Sequence, residues 1–213
     1  MNIVSAFRAK AAMSPRSRRV TDAPTRVFHG LFALSFIGAY LTGDSERWRL
    51  VHLTLGYTLA GLLVFRLMWG TWGPRQTRWS LLAHKLAGWT IWFQGLRQGK
   101  FHARHGQNLV MASAGVALLL LTVPLSLSGY AAYDDAAKGW DHIHLWLAQA
   151  MLGLLSLHLG LIALLSWLRG PHQAATMFSG RIPGPGPDLV THNHTGIAML
   201  LLITVLLYWS WPW

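Results

Sequence analysis

Four histidines, His29, His52, His144 and His158, sit within otherwise apolar stretches of the chain. An ionisable side chain in such a setting is costly, so each is a candidate for function. A single His there serves equally well as a hydrogen-bond partner between helices, and spacing has to separate the two readings. His144 and His158 are 14 residues apart. On a helix this is about 40° short of four full turns and about 21 Å along the axis. Both rings then project from one face, yet they are too far apart for one metal, whose ligands converge within about 2 Å of the ion. Two separate sites are implied, each needing a second histidine at its own depth. Two axial imidazoles and nothing else suit a six-coordinate haem, whereas zinc would take four protein ligands or keep an open water position. Iron with two imidazoles has no free coordination position, which suits electron transfer over oxygen chemistry. The chain has no Cys, which excludes thiolate ligation, covalent haem attachment through Cys-x-x-Cys-His, cysteine-held iron–sulfur or zinc sites and disulfides. Any haem is therefore non-covalent and b-type.

The elements that must carry these rings are membrane helices. Of the 213 residues, 53% are hydrophobic and only 12% charged, about half the charged fraction of a soluble domain. Five apolar stretches approach the roughly 20 residues that cross a bilayer core: 27–42, 50–69, 107–130, 143–168 and 195–213. A signal peptide is the rival reading of the first run, but its basic leader is long and no small-x-small cleavage pattern follows. The net charge of +11 could suggest nucleic acid, but the basic residues lie in the connections between apolar runs. Anionic lipid headgroups are the simpler partner, and no nucleic acid is expected.

Arg8, Lys10, Arg16, Arg18, Arg19 and Arg26 precede the first span, and Arg75, Arg78, Lys85, Arg97, Lys100 and Arg104 follow the second. The positive-inside rule therefore puts the N-terminus and the long middle connection in the cytoplasm. Five spans would leave the C-terminus outside, with Trp209, Trp211 and Trp213 as an aromatic belt. The middle connection carries Trp79, Leu82, Leu86, Trp89, Trp92, Phe93 and Leu96 at helical spacing, which predicts an amphipathic surface helix over 79–98. The stretch 181–187, with Pro183, Pro185 and Pro187 among glycines, reads as a turn-rich cytoplasmic linker.

This topology sets the depths. His29 opens the first span at its inner end, and His52 opens the second at its outer end. The expected pairs are His29 with His158 on the inner side and His52 with His144 on the outer side. Gly30, Gly56, Gly153 and Gly160 are candidates for letting a flat macrocycle approach the backbone, or serve ordinary helix packing. Arg49, with Arg47, could neutralise haem propionates outside, and Arg26 could do so inside; interfacial snorkelling is the alternative. His142 is the substitute for the outer ligand. His84, His102, His105 and His172 lie in connections. His192 and His194 open the fifth span, where they could meet a quinone headgroup, a partner or water.

Several motifs together resemble the bacterial di-haem cytochrome b561 family, which includes the cytochrome b subunits of nickel–iron hydrogenases. They are Asp22-Ala-Pro-Thr-Arg26-Val-Phe-His29, Trp48-Arg49-Leu-Val-His52-Leu-Thr-Leu-Gly56-Tyr57, Phe65-Arg66-Leu-Met-Trp69-Gly70, His144-Leu-Trp-Leu-Ala148 leading to His158, and Met177-Phe-Ser-Gly180-Arg181. The resemblance implies that His29, His52, His144 and His158 are the haem ligands of a four-helix core. It also implies electron exchange between the quinone pool and a periplasmic redox partner such as a c-type cytochrome or hydrogenase. Leu145 stands where Glu often follows the His in the family, and the fifth span is an addition.

The expected fold is thus an all-α integral membrane helical bundle, a four-helix di-haem core plus a fifth C-terminal transmembrane helix, in the bacterial inner membrane. Residues 1–26 form a basic cytoplasmic segment, 27–181 the di-haem domain, and 182–213 the linker and fifth helix. The expected role is an electron-transfer cytochrome with two haems b. The alternative is a superoxide oxidase-type enzyme that reduces quinone. A cationic funnel outside would favour that alternative, but the outer connections carry five acids against three bases.

Overall fold

The structure, a computed structural model, describes residues 17–100, 102–134, 138–170 and 172–211. Arg8, Lys10, Arg16, Asp135, Trp213 and the His172 side chain lie outside what is described. Among the described residues there are seven helices and two three-residue strands. Helix α1 is Ala23–Thr42 and α2 is Arg49–Trp72, with a 3-10 turn at Glu46–Trp48 between them. Helices α3, Trp79–Arg97, and α4, Ala103–Tyr133, follow. Then come α5, Trp140–Arg169, the short α6, His172–Ser179, and α7, Thr195–Ser210. Strands β1, Ser17–Arg19, and β2, Arg181–Pro183, pair antiparallel with Arg18 opposite Ile182.

Among the described residues, three helical segments are long and apolar enough to cross a membrane: Glu46–Trp72, Ala103–Tyr133 and Trp140–Leu168. They expose apolar side chains such as Leu120, Leu127, Leu157, Leu164 and Trp167, which in water would be an aggregation surface and in lipid is the correct outside. The chain is a multi-pass membrane bundle. Helix α1, at about 30 Å, packs along α2, and α7, at about 24 Å, packs against α1. The latter is shorter than the roughly 30 Å hydrocarbon core.

Two buried clusters hold the bundle. Phe36, Leu59, Leu125 and Met151 bring α1, α2, α4 and α5 together. Phe28, Leu31, Leu62 and Val205 attach α7 to α1 and α2. Between apolar helices in lipid, close side-chain packing rather than water exclusion supplies the association. Trp209 differs from the aromatic-belt expectation. Its indole turns into the bundle and donates to the Thr58 hydroxyl at 2.9 Å, because a buried indole N–H needs an acceptor.

The end of the bundle at Asp22 is knitted by long-range contacts. Asp22 is fully buried and caps α1 by accepting from the Thr25 amide at 3.2 Å. Pro24 occupies the first turn, where a missing N–H costs nothing. The second Asp22 oxygen accepts from the Trp69 indole at 2.9 Å, which sets the end of α2 level with the start of α1. Residues 181–183, expected within a turn-rich linker, form β2. Gly180, at φ +70, turns the chain out of α6, and its carbonyl accepts from Val20 and Thr21. Asp188 accepts from the Arg19 amide at 2.6 Å and lies 3.6 Å from the Arg181 guanidinium.

Candidate functional site

His52 lies in the first turn of α2 and His144 in the second turn of α5. Their ring centroids are 6.0 Å apart, with planes at 88°. Two imidazoles on opposite sides of one metal, with bonds of about 2 Å, have centroids about 6 Å apart. Each ring is latched through Nδ1. His52 Nδ1 is 2.8 Å from the Ala39 carbonyl, and His144 Nδ1 is 3.1 Å from the Leu125 carbonyl. A carbonyl can only accept, so each Nδ1 carries the proton and each Nε2 keeps its lone pair for a ligand bond. Ala39 lies in the last turn of α1, and its carbonyl, which also accepts from the Thr42 hydroxyl at 3.2 Å, uses a second lone pair for this latch. Ser128 adds a hydroxyl 3.2 Å from His144 Nδ1.

The two rings border a cavity of about 250 Å³, walled mainly by apolar side chains and by Gly56, Gly129, Tyr57 and Tyr133. Gly129 is required by the ring itself: a Cβ there would stand 2.9 Å from His144 Cε1. The expected glycines behave otherwise. A Cβ at Gly30, Gly56, Gly153 or Gly160 would meet nothing within 4 Å. That is open space beside helices bearing all four histidines.

The second pair sits toward the Asp22 end. His29 is exposed and His158 half-buried. They are near enough for their charges to interact. His158 Nδ1 is buried without a hydrogen-bond partner. His52 and His144 are thus brought into ring contact, whereas His29 and His158 share one end of the bundle without a ring contact or hydrogen bond between them among the described residues.

Arg49 stacks on the Tyr133 ring at 5.8 Å and lies 3.9 Å from Glu46, which puts it beside a residue of the cavity wall. Arg26 donates to the Phe178 carbonyl at 2.7 Å, tying α1 to α6, while its Nε is buried and unpartnered. Arg47 lies over its neighbour Trp48. His142 is 79% exposed and 3.9 Å from Asp141, outside the cavity. His194 is at φ +48 with its ring 5.4 Å from that of Trp69, and His192 is beside it. His84, His102 and His105 are exposed. The carbonyls of Ala39 and Leu125 and the Asp22–Trp69 bond have no signature in residue type. Gly129 and Ser128 do: they are small residues near the far end of the third expected span, across from His144.

A helical bundle with apolar side chains turned outward and two imidazoles in ring contact inside it defines a multi-pass membrane protein with a candidate ligand site. The family model for the prokaryotic cytochrome b561 matches residues 20–180, and the chain belongs to that family. Membership means transmembrane electron transfer by b-type haem. The matched stretch takes in α1 to α6 and leaves out β1, β2 and α7. Neither a curated protein nor a solved structure matches the chain.

Proposed function

We propose that the chain binds two b-type haems, one between His52 and His144 and one between His29 and His158. Through them it carries electrons between the membrane quinone pool and a periplasmic redox protein such as a c-type cytochrome or hydrogenase. The observation that carries this reading is the 6.0 Å separation of the His52 and His144 rings, with both Nδ1 atoms held by carbonyls. Open space beside Gly56 at that cavity, and beside Gly30, Gly153 and Gly160, is what a flat macrocycle needs. At the other pair, Arg26 Nε is a buried polar atom that the chain alone leaves unsatisfied.

When bound, the iron supplies one-electron redox chemistry with no open coordination position. The protein's part is to hold and insulate. The carbonyls of Ala39 and Leu125 fix tautomer and ring direction, which raises ligand basicity. Apolar walls keep water from the rings. Arg49 and Arg26 are the cations proposed to meet propionates. The Lys/Arg distribution supports a cytoplasmic N-terminus in a bacterial inner membrane, and α1 and α7 are proposed to span with the three longer segments. The test is purified protein in sealed vesicles, with quinol supplied in the membrane and a c-type cytochrome trapped inside. Reduction of the trapped acceptor that needs both histidine pairs is expected. Reduction unaffected by His52→Ala would overturn the reading.

A further inference from the structure

A second cleft, of about 450 Å³, lies where α3 turns into α4, and Lys100, His102, His105, Gln94, Ile91 and Trp92 are among the residues lining it. Its geometry is fixed by the backbone. Helix α3 ends with the Gly99 amide bonded to the Leu96 carbonyl and the Lys100 amide to the Gly95 carbonyl. Gly99 is at φ +73, the left-handed conformation that this helix ending requires. Lys100 is thereby set at the cleft. The Trp92 indole donates to the His102 carbonyl at 3.3 Å and lies against Gly106, where a Cβ would come within 2.8 Å of the ring.

No carboxylate is available to balance this corner. The sequence has no Asp or Glu between Glu46 and Asp134. At the same end of the bundle, Asp22 is buried under Thr25 and Trp69, and Asp188 is engaged by Arg19 and Arg181. Among the described residues, Lys100 has no ion-pair partner. Helix α4 adds an N-terminus with no acidic residue in its first turn and no side-chain cap, which favours an anion nearby.

Position selects the kind of anion. Helix α4 has 31 residues, about 46 Å of helix against a hydrocarbon core of about 30 Å. The excess falls at the polar end, where Arg104, His105, Gln107 and Asn108 put the first turns in the headgroup layer. There the cleft offers a cationic and amide-lined side next to Ile91 and Trp92, a match for a phosphate joined to an apolar tail. We propose that the α3–α4 corner is a binding site for an anionic phospholipid, its phosphate at Lys100 and His102 and its glycerol and upper acyl chain against Ile91 and Trp92. Basic pockets of this kind retain anionic lipids through charge and local shape together.

The experiment is mass spectrometry of the full chain released intact from detergent micelles, titrated with phosphatidylglycerol or phosphatidylcholine. Retention of phosphatidylglycerol well above phosphatidylcholine is expected. Lys100→Gln should weaken it about fivefold, the worth of one basic residue near the headgroups. Lys85→Gln, an exposed cation of α3 outside the cleft, should leave it unchanged. Excess inorganic phosphate should not displace the lipid. Equal retention of the two lipids would overturn the proposal. So would equal losses in the two variants, which mean diffuse attraction, or displacement by phosphate, which means a free-anion site.

Discussion

His52 and His144 meet across a cavity with both Nδ1 atoms held by backbone carbonyls, while toward the other end His29 is exposed and His158 Nδ1 has no partner. The surroundings are arranged the opposite way. Around the first pair the scaffold is a short turn and a cavity. Near the second it is a mesh: Asp22 to Trp69, Arg26 to Phe178, and β1 to β2. One end fixes its rings directly, and the other fixes the helix ends and leaves the rings freer. Preorganised ligands lose less freedom on binding, so the two proposed haem sites should differ in affinity, with His52–His144 the tighter.

Removing one ligand from each pair has the largest expected effect. His52→Ala should abolish the haem at the cavity and spare the other. His29→Ala should do the reverse, since His144 and His158 stand about 21 Å apart and neither can serve the other's site. Optical redox titration of the two variants should show different surviving potentials. Loss of both haems in either variant would dissolve the distinction between the ends. Haem titration into apoprotein sharpens it further: the signal lost in His52→Ala should be the first to saturate in the parent.

Gly129 separates ring packing from open space. Gly129→Val should drive His144 out of line and weaken haem retention at that site by about 10- to 100-fold, the usual cost of disturbing what orients a ligand. Gly56→Ala meets no protein atom within 4 Å, so the apoprotein should insert and fold as before. If Gly129→Val retained haem like the parent, the close contact with His144 would not be orienting the ring.

A smaller effect is expected at the mesh. Asp22→Ala removes a helix cap worth about 1 kcal/mol and strands the Trp69 indole at a further cost of about 1–3 kcal/mol. Thermal unfolding in detergent should register that loss, and the haem spectrum of His52→Ala should change on adding it more than that of His29→Ala. An unchanged melting temperature would mean the knitted end contributes little.

Much of this was legible because periodic arithmetic needs no partner. The 14-residue interval placed His144 and His158 on one face at two depths, and alternating span direction placed His29 and His52 at opposite ends. What escaped was written in the backbone or at long range. Any residue could present the Ala39 and Leu125 carbonyls, so no side-chain type marks them. Gly30, Gly56, Gly153 and Gly160 were chosen for closeness in sequence to histidines, whereas the glycines that lie against the paired rings, Gly129 at His144 and Gly43 at His52, come from other parts of the chain. The β1–β2 tie joins Ser17 to Pro183, a pairing that three-residue strands cannot announce. Trp209 looked interfacial from its place near the chain's end, but its N–H found Thr58.

Haem stoichiometry tests the central claim most directly. A pyridine haemochrome assay on pure protein, set against its quantified polypeptide, should return about two haems b per chain, both with the low-spin spectrum of iron held by two imidazoles. A value near one, or a high-spin spectrum, would contradict a membrane protein with two bis-histidine sites.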